Sequence, residues 1–148
     1  MKFETKYAGI IDIRDDQIIT LKNGFFGFEA YHDFVKFDSD TPPFIWVESV
    51  VKGGPSFIAI DPFIFRPDYE IELEDDVVEE LEIRSPADVL IYALVTITGE
   101  GRPITANLQG PLIVNKKNRR AKQVVAGGKW KTKHDIMAEA IGTGDNKC

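Results

Sequence analysis

The chain has 148 residues with 43% apolar content, about one domain's worth of sequence around a single core. A lone cysteine (Cys148) argues against a disulfide framework or a thiolate metal site, and two widely separated histidines (His32, His134) argue against a histidine metal centre. The net charge of −6 is unevenly spread: residues 1–100 carry 8 Lys/Arg against 21 Asp/Glu, whereas residues 101–148 carry 10 against 3.

The opening stretch MKFETKYAGI puts Phe3, Thr5 and Tyr7 on one face and Lys2, Glu4 and Lys6 on the other. That period of two predicts a strand. The stretch lacks the continuous apolar centre of a signal peptide, and no run of about 18 apolar residues follows it, so the expectation is a cytoplasmic protein. A second strand is predicted over residues 17–21. NGFFGFE (residues 23–29) reads as a tight turn, because Asn-Gly accepts positive φ and Gly27 supplies another pivot. Of its aromatics, Phe25, Phe26 and Phe28, at least two are expected in the core and one is a candidate for exposure.

Short strands are predicted over residues 34–37 and 44–48, split by the polar turn DSDTPP, and over 57–60 after the GGP turn. Pro62 and Pro67 limit ladder bonding in DPFIFRPDYE (residues 61–70) and imply an irregular crossing. Residues 69–73 alternate again. EDDVVEELE (residues 74–82) is the one good helix candidate, with Asp75 and Asp76 in the first turn where the helix dipole favours anions. It is short and must pack on something. SPAD (residues 85–88) imitates a capping box, but the β-branched and aromatic run after it predicts a long central strand over 89–98.

GEGRP (residues 99–103) is a turn. TANL approaches PLIVN as a turn followed by a core strand that Pro111 starts, where its missing N–H matters little. Strands over 112–115 and 121–125 join through the basic tip KKNRR, and the tail from Gly127 carries a weak helical pattern over 135–141 before polar residues that fray. The expected fold is mainly β: a single-domain pseudo-barrel of short, mostly antiparallel strands capped by one short helix. The domain is expected over 1–126, with 127–148 as a partly helical or disordered tail.

Catalytic motifs are missing: no GxSxG elbow, phosphate-binding glycine loop, HExxH or paired CxxC occurs, and the glycines at 99 and 101 form a turn. Two acidic groups, Asp61/Asp68/Glu70/Glu72 and Glu74/Asp75/Asp76, lack the ligand spacing and pivoting glycine of a calcium loop and read as a solvated acidic face. No metal and no cofactor is expected, and an enzyme is the weakest reading.

Four segments in order, NGFFGFE, IAIDPFIFRPDYEIEL (residues 58–73), SPADVLIYALVTI (85–97) and TANLQGPLIVNKKNRRAKQVV (105–125), resemble the FliW family of flagellar assembly factors over roughly residues 1–126. The resemblance implies a non-enzymatic cytoplasmic protein that binds flagellin and also CsrA, a small basic RNA-binding translational repressor. Accumulated flagellin would occupy the protein and free CsrA to repress flagellin synthesis. Export of flagellin would release the protein to antagonise CsrA again.

The acidic stretch supplies a field for a basic partner, with Glu70, Glu72, Glu74, Asp75 and Asp76 as its candidate residues. Phe25 and Phe63 are candidate apolar anchors for flagellin, although aromatics in short strands usually pack inward. A monomer is expected. The competing reading is a nucleic-acid-binding β domain using the basic 116–122 hairpin with Lys129, Lys131 and Lys133. No aromatic interleaves that tip to stack bases, which favours a solvated turn. A third reading, an acidic hydrolase, would depend on Asp61 or Asp68.

Overall fold

The computed structural model describes residues 1–97, 99 and 101–136. Its centre is a closed barrel of seven strands: β3 (Ile18–Leu21), β4 (Asp33–Asp38), β5 (Ile45–Ser49), β6 (Ser56–Ile60), β7 (Val89–Ile97), β8 (Ile104–Asn115) and β9 (Arg120–Gln123). Neighbours in sequence pair antiparallel from β3 to β9. The barrel closes where β9 runs parallel to β3, at Thr20 opposite Arg120 and Leu21 opposite Ala121. Closure removes most of the unpaired edge, although residues 89–92 of β7 lie beyond the end of the β6 ladder.

Alternation along each strand sorts side chains to the inside or outside of the wall. Ile19, Leu21, Phe34, Val47, Ala59, Leu112, Val114 and Ala121 fill the interior with Phe25. Three outer layers cover the opposite faces. A hairpin of β1 (Lys2–Glu4) and β2 (Ile10–Asp12) covers Val35 and Phe37. Tyr69, Trp130 and Ile136 lie over Ile60, Ala93, Ala106 and Leu108. The helix α1 (Asp75–Glu80) sets Val77 and its C-cap Leu81 on Ile113. At about 1.5–3 kcal/mol for each fully buried large apolar side chain, the interior and these layers together carry the fold.

Several expectations shift. The helix spans six residues, shorter than 74–82, because Glu82 adopts a positive φ of 53° and ends it. The N–H of Ile83 then reaches back to the carbonyl of Val78 at 2.9 Å, the closing bond of a left-handed helix cap. The alternating segment 69–73 has no ladder partner among the described residues, although its alternation survives: Tyr69 is buried, Ile71 and Leu73 are half-buried, and Glu70 and Glu72 face out. TANL is not a turn before a strand started by Pro111; β8 is continuous through it. Register passes from Tyr92 opposite Leu112 to Leu94 opposite Asn107, so Ala93 faces a four-residue bulge, residues 108–111, in which Pro111 sits. Asn107 Oδ1 accepts the N–H groups of Gln109 and Gly110 there, at 3.1 and 2.8 Å.

The fold does not end at Ala126. Lys131 accepts hydrogen bonds from the N–H groups of Leu108 and Gln109, and β10 (His134–Asp135) pairs with β8. Residues 127–136 therefore belong to the packed molecule, and the helical pattern expected over 135–141 falls mostly outside the described residues. No helix among the described residues is long and apolar enough to cross a membrane.

Candidate protein-binding surface

The acidic segment is held by its apolar alternates. Tyr69 is only 2% exposed, donates its hydroxyl to the Leu108 carbonyl at 2.6 Å, and meets Trp130 edge to face at 4.7 Å between ring centres. Burial pushes its phenol up to about 12, so it stays a neutral donor across the physiological range. Trp130 Nε1 donates to the Glu70 carbonyl at 3.0 Å, clamping the segment from outside. With Tyr69, Ile71 and Leu73 turned inward, period two turns Glu70, Glu72 and Glu74 outward.

These carboxylates form one surface. Glu70, Glu72, Glu74 and Asp75 line a trough of about 560 Å³ with Val125 and Gly127. Glu72, Glu74 and Asp76 continue into an adjoining hollow of about 250 Å³ that also contains Phe26 and Val125. Phe26 is 54% exposed and Val125 70% exposed. None of the five candidate carboxylates has an ion-pair partner among the described residues. The result is an acidic trough edged by two exposed apolar side chains, with Lys122 in the adjoining hollow held by Glu80.

The two aromatic anchor candidates separate: Phe25 packs inward, as aromatics in short strands usually do, and Phe63 does not. Phe25 is 1% exposed, with its ring edge-on to Phe34 at 4.9 Å and tilted on Phe57 at 4.6 Å; it is a core residue and offers no surface to a partner. Its neighbours Phe26 and Phe28 are 54% and 40% exposed, so one of the three aromatics lies in the core where at least two were expected, and sequence reasoning did not single out Phe26. The signal was present. Phe28 N–H closes a turn on the Phe25 carbonyl at 2.8 Å, and Gly27 sits at φ 86°, so Phe26 and Gly27 form the tip. The backbone N–H of Phe26 is anchored by Gln123 Oε1 at 2.9 Å. Gly24 lets the turn close, since a Cβ there would lie 2.7 Å from the Phe28 carbonyl oxygen. Phe63 is partly exposed but lines a separate groove with Ile71, Leu73 and Val78, away from the trough's mouth.

The basic tip is neither a free cationic patch nor a plain solvated turn. Arg120 Nη1 lies 2.7 Å from Glu82 Oε2 and also reaches the Glu80 carbonyl at 3.2 Å. Lys122 Nζ is 3.2 Å from Glu80 Oε1, and Lys117 Nζ is 3.6 Å from Asp88 Oδ2. Asn115 Nδ2 donates to the carbonyls of Leu81 and Glu82 at 2.8 and 3.2 Å, and Asn118 Nδ2 donates to that of Leu81 at 3.0 Å. The tip therefore satisfies the open carbonyls and the negative pole of the helix C-terminus. Lys129 in turn lies 3.7 Å from Asp68 and over the Trp130 ring.

Asp61 and Asp68 also have local partners: Asp61 Oδ1 accepts the Phe63 N–H at 2.9 Å, and Asp68 pairs with Arg66 Nε at 2.9 Å. Among the described residues, no group of three or more His, Cys, Asp or Glu is placed to hold a metal ion.

Three comparisons show what the chain as a whole is similar to. The family model described as FliW protein matches residues 2–136. A flagellar assembly factor FliW of Treponema denticola is 52% identical over 147 residues, spanning 99% of this chain and 100% of that one. One of Treponema pallidum is 56% identical over 140 residues, spanning 94% and 93%. A crystal structure of the flagellar assembly factor FliW superposes with a TM-score of 0.83 at 36% identity, covering 92% of this chain and 96% of that one.

Proposed function

From the premise that this chain belongs to the FliW family of flagellar assembly factors, we propose that it works by binding proteins and catalyses nothing. The proposed partners are flagellin and the basic translational repressor CsrA, both met in the cytoplasm by a monomer. The observation that carries this reading is the unpaired acidic trough at Glu70, Glu72, Glu74, Asp75 and Asp76 with Phe26 and Val125 beside it. Like-signed carboxylates without internal partners steer and orient a basic protein, and exposed apolar side chains at their edge supply the desolvated contact that holds it. CsrA, being basic, is assigned to the trough. Its RNA would then be opposed by the same acidic field.

The nucleic-acid reading loses its main support. Arg120 and Lys122 are paired with Glu82 and Glu80, and Lys117 faces Asp88, so most of the tip's charge is engaged within the molecule and Lys116 and Arg119 are left for a phosphate. Phosphate binding at Lys117, Arg120 or Lys122 would have to displace carboxylates.

The test is titration calorimetry of the full chain with CsrA and with flagellin, separately and then together. Binding to both, with flagellin lowering the apparent affinity for CsrA, is the expected result. Reversal of Glu72 and Glu74 to lysine should weaken CsrA about tenfold or more and flatten its salt dependence. If those variants, folded as judged by circular dichroism, bind CsrA as the parent does, the assignment of CsrA to the trough is wrong. Absence of heat with either partner would remove the proposed function altogether.

A further inference from the structure

On the far side of the ridge made by Ile71 and Leu73 lies an apolar groove of about 610 Å³. Its walls are Phe63, Ile71, Leu73, Val78 and Ile83, and its floor is the first half of β7, residues 89–92. Here the barrel wall is split. The ladder between β6 and β7 ends at Ile60 opposite Ala93, because Asp61 leaves β6 to cap a single 3₁₀ turn over Pro62–Ile64. Residues 89–92 thus keep β8 on one side and, among the described residues, have no strand on the other.

The direction of the free backbone groups follows from the β8 side. Lys116 N–H donates to the Asp88 carbonyl at 2.9 Å, so residue 88 is bonded toward β8. Alternation then turns Leu90 and Tyr92 toward β8 and turns Val89 and Ile91 away from it. Val89 N–H is taken by the Pro86 carbonyl. The N–H and carbonyl of Ile91 and the carbonyl of Val89 face the groove with no strand to receive them. Side chains on both faces of the split are apolar: Leu90 and Tyr92 pack toward the barrel interior, Val89 and Ile91 toward the outer layer.

Two charges line the groove: Asp61, whose carboxylate accepts the Phe63 N–H as cap of the 3₁₀ turn, and Arg84. Arg84 is exposed and has no carboxylate partner among the described residues. A free strand edge with apolar pockets on alternating sides and a cation at one end fits one kind of occupant. We propose that the groove binds an extended peptide segment of a partner protein, which adds as a strand to β7 at Ile91, places apolar side chains on both faces and sets a carboxylate against Arg84. Main-chain bonds give such a complex its affinity, and alternate pockets with the terminal charge give it selectivity. This surface is distinct from the acidic trough and does not depend on the assignment of CsrA or flagellin.

The test uses the full chain with two fluorescein-labelled nine-residue peptides of alternating valine and threonine, one carrying a single glutamate near its end and the other a lysine there. Anisotropy should show saturable binding of the glutamate peptide, about tenfold tighter than the lysine peptide. Arg84→Glu should reverse that order. Amide exchange by NMR should show Ile91 N–H exchanging fast in the free protein and slowly with the glutamate peptide. Equal binding of the two peptides, an order unmoved by Arg84→Glu, or Ile91 exchange unchanged by the peptide would each overturn the proposal. Protection of Ile91 in the free protein would overturn it as well, by showing the edge already filled, whether by the chain itself or by a second copy. The Glu72 and Glu74 reversals should leave peptide binding intact, so failure of the trough reading is separable from failure of this one.

Discussion

Replacing Phe25 with alanine would remove a ring that is buried against Phe34 and Phe57, and the hole would lie in the barrel interior. The expected loss is about 3–5 kcal/mol, a large part of the stability of a domain this size, seen as a lowered urea midpoint. Phe26→Ala, one residue on, should leave the midpoint within about 0.5 kcal/mol of the parent and weaken partner binding instead. If the two variants behave alike, Phe26 is not a binding residue. Tyr69 gives a second residue-scale prediction. Its phenol is raised from 10.0 to about 12 by burial, so from about pH 10 upward the unfolded chain releases this proton while the folded one keeps it. Stability from this group is complete below pH 10 and is lost as pH rises toward 12, by an amount on the order of 2 kcal/mol. Tyr69→Phe should be less stable at neutral pH, having lost the bond to Leu108, yet should show a shallower decline between pH 10 and 12 in thermal melts.

At the scale of elements, the junction of α1 with the β8–β9 tip decides whether so short a helix persists. Six residues are too few to hold alone, and Asn115 is the buried donor that receives the carbonyls of Leu81 and Glu82. Asn115→Ala should destabilise the protein by about 1–3 kcal/mol, and Asn115→Asp by more, since a carboxylate would then face two carbonyls at the helix's negative end. Asn118→Ala should cost less, because Leu81 keeps its bond from Asn115. Chemical denaturation of the three variants checks the order. This junction was not legible in the sequence: the helix and the basic tip were each visible, but nothing local says that residues 40 positions apart meet. The short alternating strands were legible because half-buried sheets impose period two. The second strand of the N-terminal hairpin, the parallel β3–β9 closure and the bulge that carries Pro111 inside β8 were not, since each depends on a partner distant in the chain. The candidate surface divides the same way. The outward carboxylates followed from alternation, whereas the choice between Phe25 and Phe26 required reading the turn by its closing bond.

At the scale of the molecule, the uneven charge along the chain resolves into two uses. Much of the basic tip is consumed against Glu80, Glu82 and Asp88, which leaves the carboxylates of residues 70–76 without an ion pair among the described residues. Net charge alone would attract a basic partner from every side; a localised field would orient it. The two are separable by matched charge reversals. Glu72→Lys with Glu74→Lys acts inside the trough, and Asp38→Lys with Asp40→Lys acts on exposed positions at the end of β4 and in the β4–β5 connection. Both doubles change the net charge of −6 by the same amount. If orientation matters, stopped-flow association with CsrA at low salt should slow about tenfold or more for the trough double and only about two- to threefold for the control. Raising ionic strength toward 0.15 M, where screening acts over about 8 Å, should shrink the difference between them. Equal slowing by the two doubles would mean that the molecule attracts its partner by total charge and that the trough confers no direction.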